Sequence, residues 1–118
     1  MVPSKVSEKR KPHYDLEELK RLVRQGRWRP TKTAEKDAVA LGLSRAEIEE
    51  VVLSLRPGDF YKSMTSIYNH SLWQDVYKPR INLPEREESL ELYVKLQKSA
   101  DEKCIVISFK QSEDDYDV

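Results

Sequence analysis

Residues 59–80, Asp59-Phe-Tyr-Lys-Ser-Met-Thr-Ser-Ile-Tyr-Asn-His-Ser-Leu-Trp-Gln-Asp-Val-Tyr-Lys-Pro-Arg80, divide the chain into a helical half and a strand half. Phe60 to Ser66 is rich in aromatic and hydroxyl residues, Tyr68-Asn69-His70-Ser71 is turn-prone, and Leu72 to Lys78 resumes the extended pattern. The stretch therefore predicts two strands joined by a tight connection. It also carries Lys62, His70, Gln74, Lys78 and Arg80, more polar machinery than a hairpin needs for itself.

Upstream, Asp15 precedes Leu16, Leu19, Leu22 and Val23 at helical spacing, with Glu18 placed to close a capping box and Gly26 placed as a C-terminal cap. This helix is expected to bury a leucine stripe and to show Lys20, Arg21 and Arg24 to solvent. Arg27-Trp28-Arg29-Pro30 is too short for a helix, and its proline argues for an edge strand or an extended connection. Trp28 there either plugs the edge of the core or offers a base a stacking surface. Thr33 opens a second helix through Ala34, Ala38 and Leu41, stopped by Gly42. Ser44-Arg-Ala-Glu47 is a capping box for a third, which runs through Ile48, Val51, Val52 and Leu55 to Pro57-Gly58. Glu47, Glu49 and Glu50 crowd its first turns, where the helix dipole favours acids, and are assigned to helix stability.

Downstream, Asn82-Leu-Pro-Glu-Arg-Glu-Glu-Ser89 reads as a surface loop or irregular edge. Leu90 to Gln97 alternates strictly, with Leu90, Leu92, Val94 and Leu96 on one face and Glu91, Tyr93, Lys95 and Gln97 on the other. Cys104 to Lys110 forms the next strand, where alternation groups Ile105, Ile107 and Phe109 against Cys104, Val106, Ser108 and Lys110. If both strands turn their purely apolar face to the helices, Tyr93, Lys95, Ser108 and Lys110 share the opposite face. Helices followed by about four strands with hairpin-length links define an α+β class, with N-terminal helices packed on a mainly antiparallel sheet.

A chain of 118 residues suits one domain. It divides into a flexible basic arm (1–12), the domain itself (13–110) and an acidic tail (111–118). There is no apolar run of membrane-spanning length and no signal-peptide core after Met1, so a cytoplasmic protein is expected. Cys104 is the sole cysteine, which excludes an intrachain disulfide and a thiolate zinc cluster. With only His13 and His70 as imidazoles, no metal site or cofactor is expected. Net charge is zero, but residues 1–32 hold ten Lys/Arg against four acids and residues 81–118 hold five against ten. Segregation of this kind can leave one face basic.

A face of Lys, Tyr, Gln, Ser and Arg suits a phosphate-bearing ligand. RNA cleavage needs no metal, because the neighbouring 2′-hydroxyl is the nucleophile. The protein must help remove its proton, neutralise charge on the pentavalent phosphate and help the 5′-oxygen leave. Lysine and arginine supply the electrostatic part. For a lysine or tyrosine to act as a base, a pKa ordinarily near 10 must fall. His70, at the turn, is either a structural hydrogen-bonding residue or a rival acid–base group. No Ser-His-Asp arrangement is legible.

Asp59-Phe-Tyr-Lys-Ser-Met-Thr and Leu72-Trp-Gln-Asp-Val-Tyr-Lys-Pro-Arg80, followed by Tyr93-Val-Lys and Ile105-Val-Ile-Ser-Phe-Lys110, resemble the MqsR family of toxins from bacterial type II toxin–antitoxin pairs. Lys9-Arg-Lys-Pro-His13 and Ala40-Leu-Gly-Leu43 are similar to that family's opening and middle. The resemblance implies a RelE-like α+β fold. It also implies a metal-independent, ribosome-independent endoribonuclease, an mRNA interferase that cuts single-stranded mRNA at short preferred sequences and so inhibits translation. The implied partner is a cognate antitoxin that binds DNA, so that contact with DNA is indirect. Its implied site residues fall on Lys62, Gln74, Tyr93 and Lys110, two of which alternation already places on the polar face. Arg80, Lys78 and Lys95 are the accompanying RNA-binding candidates. The loop from Ile81 to Leu92 is longer than in the family. Two readings of other classes stand beside this one: a non-catalytic RNA-binding or regulatory module with the same fold, and an interaction subunit that pairs through its sheet edge.

Overall fold

A computed structural model describes residues 7–83 and 87–113. Among these, the elements in chain order are β1 (Glu8–Lys9), α1 (Leu16–Arg24), β2 (Trp28–Pro30), α2 (Lys32–Ala40), α3 (Arg45–Ser54), β3 (Phe60–Thr65), β4 (Trp73–Tyr77), β5 (Arg80–Asn82), β6 (Ser89–Lys98) and β7 (Cys104–Gln111). The strands form one sheet in the order β1-β3-β4-β6-β7-β2, with β5 pairing the outer part of β6. Every pairing is antiparallel except the parallel one between β2 and β7. The class is α+β, as the order of the patterns predicts.

The helices cover one face. Leu19 and Val23 of α1, Ala34 and Ala38 of α2, and Ile48 and Val52 of α3 are fully buried with Leu92, Val94, Leu96, Val106 and Phe109 of the sheet. Tyr77 joins them, and burial together with nearby carboxylates, Asp75 foremost, drives its phenol pKa well above the ordinary value. Trp28 is a core plug, with the Arg45 guanidinium 5.1 Å above its ring. Gly26 ends α1 with φ of 77°, a conformation that Cβ-bearing residues avoid. The Ser44–Glu47 capping box of α3 forms as its spacing predicts, and its hydrogen bonds lower the Glu47 pKa.

Several local expectations differ from the structure. Asp15 caps α1 by accepting from the Glu17 N–H, and the Glu18 side chain instead accepts from Lys98 Nζ at 3.0 Å. Lys20 is buried along its stem, with its ammonium 3.8 Å from Glu17. Helix α2 starts earlier than Thr33, because Thr31 is its cap and accepts from the Ala34 N–H. The ends of the loop expected over Asn82–Ser89 are the paired ends of the β5–β6 hairpin, in which Arg80 faces Glu91, Ile81 faces Leu90 and Asn82 faces Ser89. Strand β7 runs on to Gln111, and the Ser112 N–H donates to the Glu91 carbonyl.

Within the stretch expected to be a flexible arm, Glu8–Lys9 form the edge strand β1, with Glu8 opposite Met64 and Lys9 opposite Ser63. The buried Asp75 carboxylate holds this segment by accepting from the backbone N–H groups of His13 and Tyr14 and from the Ser63 hydroxyl. Residues 1–6 of the arm, 84–86 of the loop and 114–118 of the tail lie outside the described residues.

Two β-bulges set which side chains leave the core. Phe60 pairs with Tyr77 and Lys62 with Val76, so Tyr61 is an extra residue in β3. In β7, Val106 pairs with Leu96 and Ser108 with Lys95, so Ile107 is the extra one. Strict alternation would put Ile105, Ile107 and Phe109 on one face. The bulge instead sends Cys104, Val106 and Phe109 into the core and Ile105 to the opposite face with Ser108 and Lys110.

Candidate functional site

The helix-free face of the sheet is built in rows. Lys62, Val76, Lys95 and Ser108 stand side by side on β3, β4, β6 and β7, with Tyr93 and Lys110 paired in a neighbouring row. Val76 is fully buried beneath this row, although it lies outside the helix-side core. Lys62 and Lys95 flank it on β3 and β6, one strand away on either side. On the other side of the row, Gln74 donates from Nε2 to Gln97 Oε1 at 2.9 Å, which fixes its amide. Tyr93 reaches across β4 until its hydroxyl lies 3.9 Å from the Met64 sulfur. The structure thus brings Lys62, Gln74, Tyr93, Lys95 and Lys110 onto one open face. The bulge at Tyr61 is what separates Lys62 from Phe60, which packs edge-on against Tyr77 at 5.6 Å on the core side.

The electrostatics of the face follow from crowding and burial. Burial lowers the Lys95 pKa, and the charges of Lys110 and Lys62 lower it further. Burial raises the Tyr93 pKa, with Tyr61 and Glu8 adding to the effect. Tyr93 is therefore held as a neutral phenol, and the Lys110 ammonium lies 5.3 Å from its ring. Lys62 does not stand alone: its Nζ donates to Glu8 Oε2 at 2.7 Å.

The remaining candidates lie around this centre. Lys78 sits 3.9 Å over the ring of Tyr61, with Lys62 and Arg10 more distant around it. Arg80 lies opposite Glu91 and donates to the Ser89 hydroxyl at 3.1 Å, beyond Tyr93 along the sheet. His70 is exposed in the β3–β4 connection and is not on the strand face. Glu8, Tyr61 and Met64 were not singled out from the sequence. Tyr61 and Met64 flank Lys62 in the quoted stretch, but their geometry depends on a bulge that leaves no compositional mark. Among the described residues, no three His, Cys, Asp or Glu side chains converge as metal ligands, and no helix is long and apolar enough to cross a membrane.

Fold and face together define a small α+β protein with an open sheet whose cations, phenol and amide converge where a phosphodiester could lie. Residues 11–111 match the family described as "Motility quorum-sensing regulator, toxin of MqsA". The chain is also 38% identical over 104 residues to the mRNA interferase toxin MqsR of Escherichia coli (strain K12), an alignment that covers 88% of this chain and 98% of the relative. The chain belongs to the MqsR toxin family.

Proposed function

We propose that this protein is the toxin of a type II toxin–antitoxin pair, an endoribonuclease that cleaves single-stranded mRNA and thereby inhibits translation. Membership of the MqsR family and the name of the 38%-identical relative support this reading. The observation that carries it chemically is the convergence of Lys62, Gln74, Tyr93, Lys95 and Lys110 on one open face.

In the proposed reaction, the 2′-oxygen attacks the adjacent phosphorus, the P–O5′ bond breaks, and a 2′,3′-cyclic phosphate and a 5′-hydroxyl result. Lys62, Lys95 and Lys110 neutralise charge that grows on the phosphoryl oxygens. Tyr93, a neutral phenol, gives its proton to the departing 5′-oxygen, which as an alkoxide is more basic than a phenolate. Gln74, locked by Gln97, orients the backbone or a base. Lys78 and Arg80 bind flanking phosphates, and no cofactor takes part. The protein partner is a cognate antitoxin, itself DNA-binding, and the toxin acts in the cytoplasm.

Cleavage of a single-stranded RNA by the purified protein in EDTA, with cyclic-phosphate ends found by mass spectrometry, is the expected result. RNA left intact without the antitoxin, or cut only after a divalent metal is added, would refute the mechanism. A Lys110→Ala protein that cleaves at the normal rate would remove Lys110 from the site.

A further inference from the structure

We propose that Glu8, on the edge strand β1, is the general base that takes the 2′-hydroxyl proton; this rests on the RNA-cleavage reading above. Glu8 precedes the residues matched by the family.

The sequence leaves the base unassigned, and most groups placed at the site fit that role poorly; Lys95, whose pKa burial and the neighbouring cations lower, is the rival base, and it stands on β6, two strands from the Lys62–Glu8 pair. Lys62 and Lys110 are there for their positive charge. Gln74 has no basic atom, and burial makes the Tyr93 phenol harder to ionise. A carboxylate on the same face changes this. Strand β1 pairs with β3 so that Glu8 stands opposite Met64, and its carboxylate lies 2.7 Å from Lys62 Nζ. The groups facing it are Lys62 from β3 and, across β4, Tyr93 of β6, whose titration Glu8 perturbs. Lys95 and Lys110 lie further along the sheet. A second carboxylate on this face, Glu91, is opposite Arg80 on β5.

The spacing suits the reaction. The attacking 2′-oxygen and the phosphorus it approaches are about 3 Å apart in a reactive conformer, so a base for one and a cation for the other must be close neighbours. Glu8 and Lys62 are such neighbours. A phosphoryl oxygen takes over the Lys62 ammonium, and the carboxylate released from it faces the sugar. The proton passes from the 2′-oxygen to Glu8 as the O2′–P bond forms. The P–O5′ electron pair leaves with the 5′-oxygen, which takes a proton from Tyr93; Glu8 then gives its proton to solvent and the Tyr93 phenolate takes one back from solvent.

The segment that carries Glu8 is held by design of the fold. The Ser7 N–H donates to the Thr65 hydroxyl and the Thr65 N–H to the Ser7 carbonyl, each at 2.9 Å. Beyond β1, the N–H groups of His13 and Tyr14 bind the buried Asp75. A base placed at the end of an untethered arm would lack this positioning.

The test uses the full-length chain as wild type, Glu8→Gln and Glu8→Asp, with a cleavable RNA and an analogue carrying a 2′-deoxy sugar at the cut site. Glu8→Gln keeps the shape of the side chain and should lower kcat by about 100-fold or more, with loss of the acid limb of the pH–rate profile. Its affinity for the 2′-deoxy analogue should stay equal or rise, and Glu8→Asp should recover part of the rate with the acid limb intact. If Glu8→Gln cleaves as fast as wild type or faster, Glu8 is only a counter-ion resting on Lys62 and the proposal falls. It also falls if rate and analogue affinity drop together, since Glu8 would then merely position Lys62. A wild type that leaves RNA intact overturns the RNA-cleavage reading itself, which separates that failure from the failure of Glu8.

Discussion

Replacing Thr31 with valine removes one hydroxyl and almost no volume, yet that hydroxyl serves two elements at once. It accepts from the Ala34 N–H at 3.0 Å to cap α2, and it donates to the carbonyl of Ile107, the bulged residue of β7, also at 3.0 Å. Loss of an N-cap costs about 1 kcal/mol. A partly buried carbonyl left without its donor costs about another 1 kcal/mol. The expected destabilisation is therefore about 2 kcal/mol. For a chain of 118 residues, an unfolding entropy of about 2.1 cal/mol/K per residue converts this into a Tm lowered by about 8 °C. Urea titrations and thermal melts followed by circular dichroism measure both quantities. Thr31→Ser, which keeps the oxygen, should lie within about 0.5 kcal/mol of wild type. A Thr31→Val protein as stable as wild type would refute the assignment of this hydroxyl to cap and bulge together.

Three further outcomes follow from buried or crowded groups. Asp75→Ala removes the acceptor of two backbone N–H groups and the Ser63 hydroxyl, and should cost about 3–4 kcal/mol in urea unfolding; a loss under about 1 kcal/mol would show that these donors find other partners. Partial desolvation and the Lys9 ammonium lower the pKa of the exposed His13 imidazole from its ordinary 6.5. The unfolded chain therefore binds the proton more readily just below pH 6.5, and stability rises as pH increases through that window. His13→Gln should shrink the difference in urea midpoint between pH 5 and pH 7, and an unchanged difference would contradict the assignment. The Cys104 thiol, buried and pushed up to about 12, should resist a disulfide reagent at pH 8 until the protein unfolds; rapid labelling of the native protein would oppose this.

The class of fold and much of the polar face were legible because they rest on periodicity. Leu90 to Gln97 keeps strict alternation, and from Leu92 to Gln97 its burial follows that pattern. The Ser44–Glu47 box worked because its two hydrogen bonds are local. What could not be read depends on distant partners. Glu8–Lys9 is two residues long and becomes a strand only because β3 offers an open edge and Asp75 anchors the chain beyond it. Thr31 outcompetes Thr33 as a cap because β2 and β7 fix the chain before it, with the Thr31 N–H donating to the Val106 carbonyl. The bulges at Tyr61 and Ile107 involve neither glycine nor proline, so nothing in composition marks where period-two reading must skip a residue.

Those skips make the polar face a matter of counting as well as of chemistry. Deleting Ile107 would leave every candidate site residue in the chain, yet one half of β7 would have to exchange its core residues for its polar ones. The same holds for Tyr61 in β3 and the lysine that follows it. In lineages descended from such a protein, a one-residue gap at either point is a change of surface, and point substitutions elsewhere in these strands are comparatively mild. When sequences are aligned to transfer function, the placement of that single gap decides whether a lysine is counted with the phosphate-facing set or with the core.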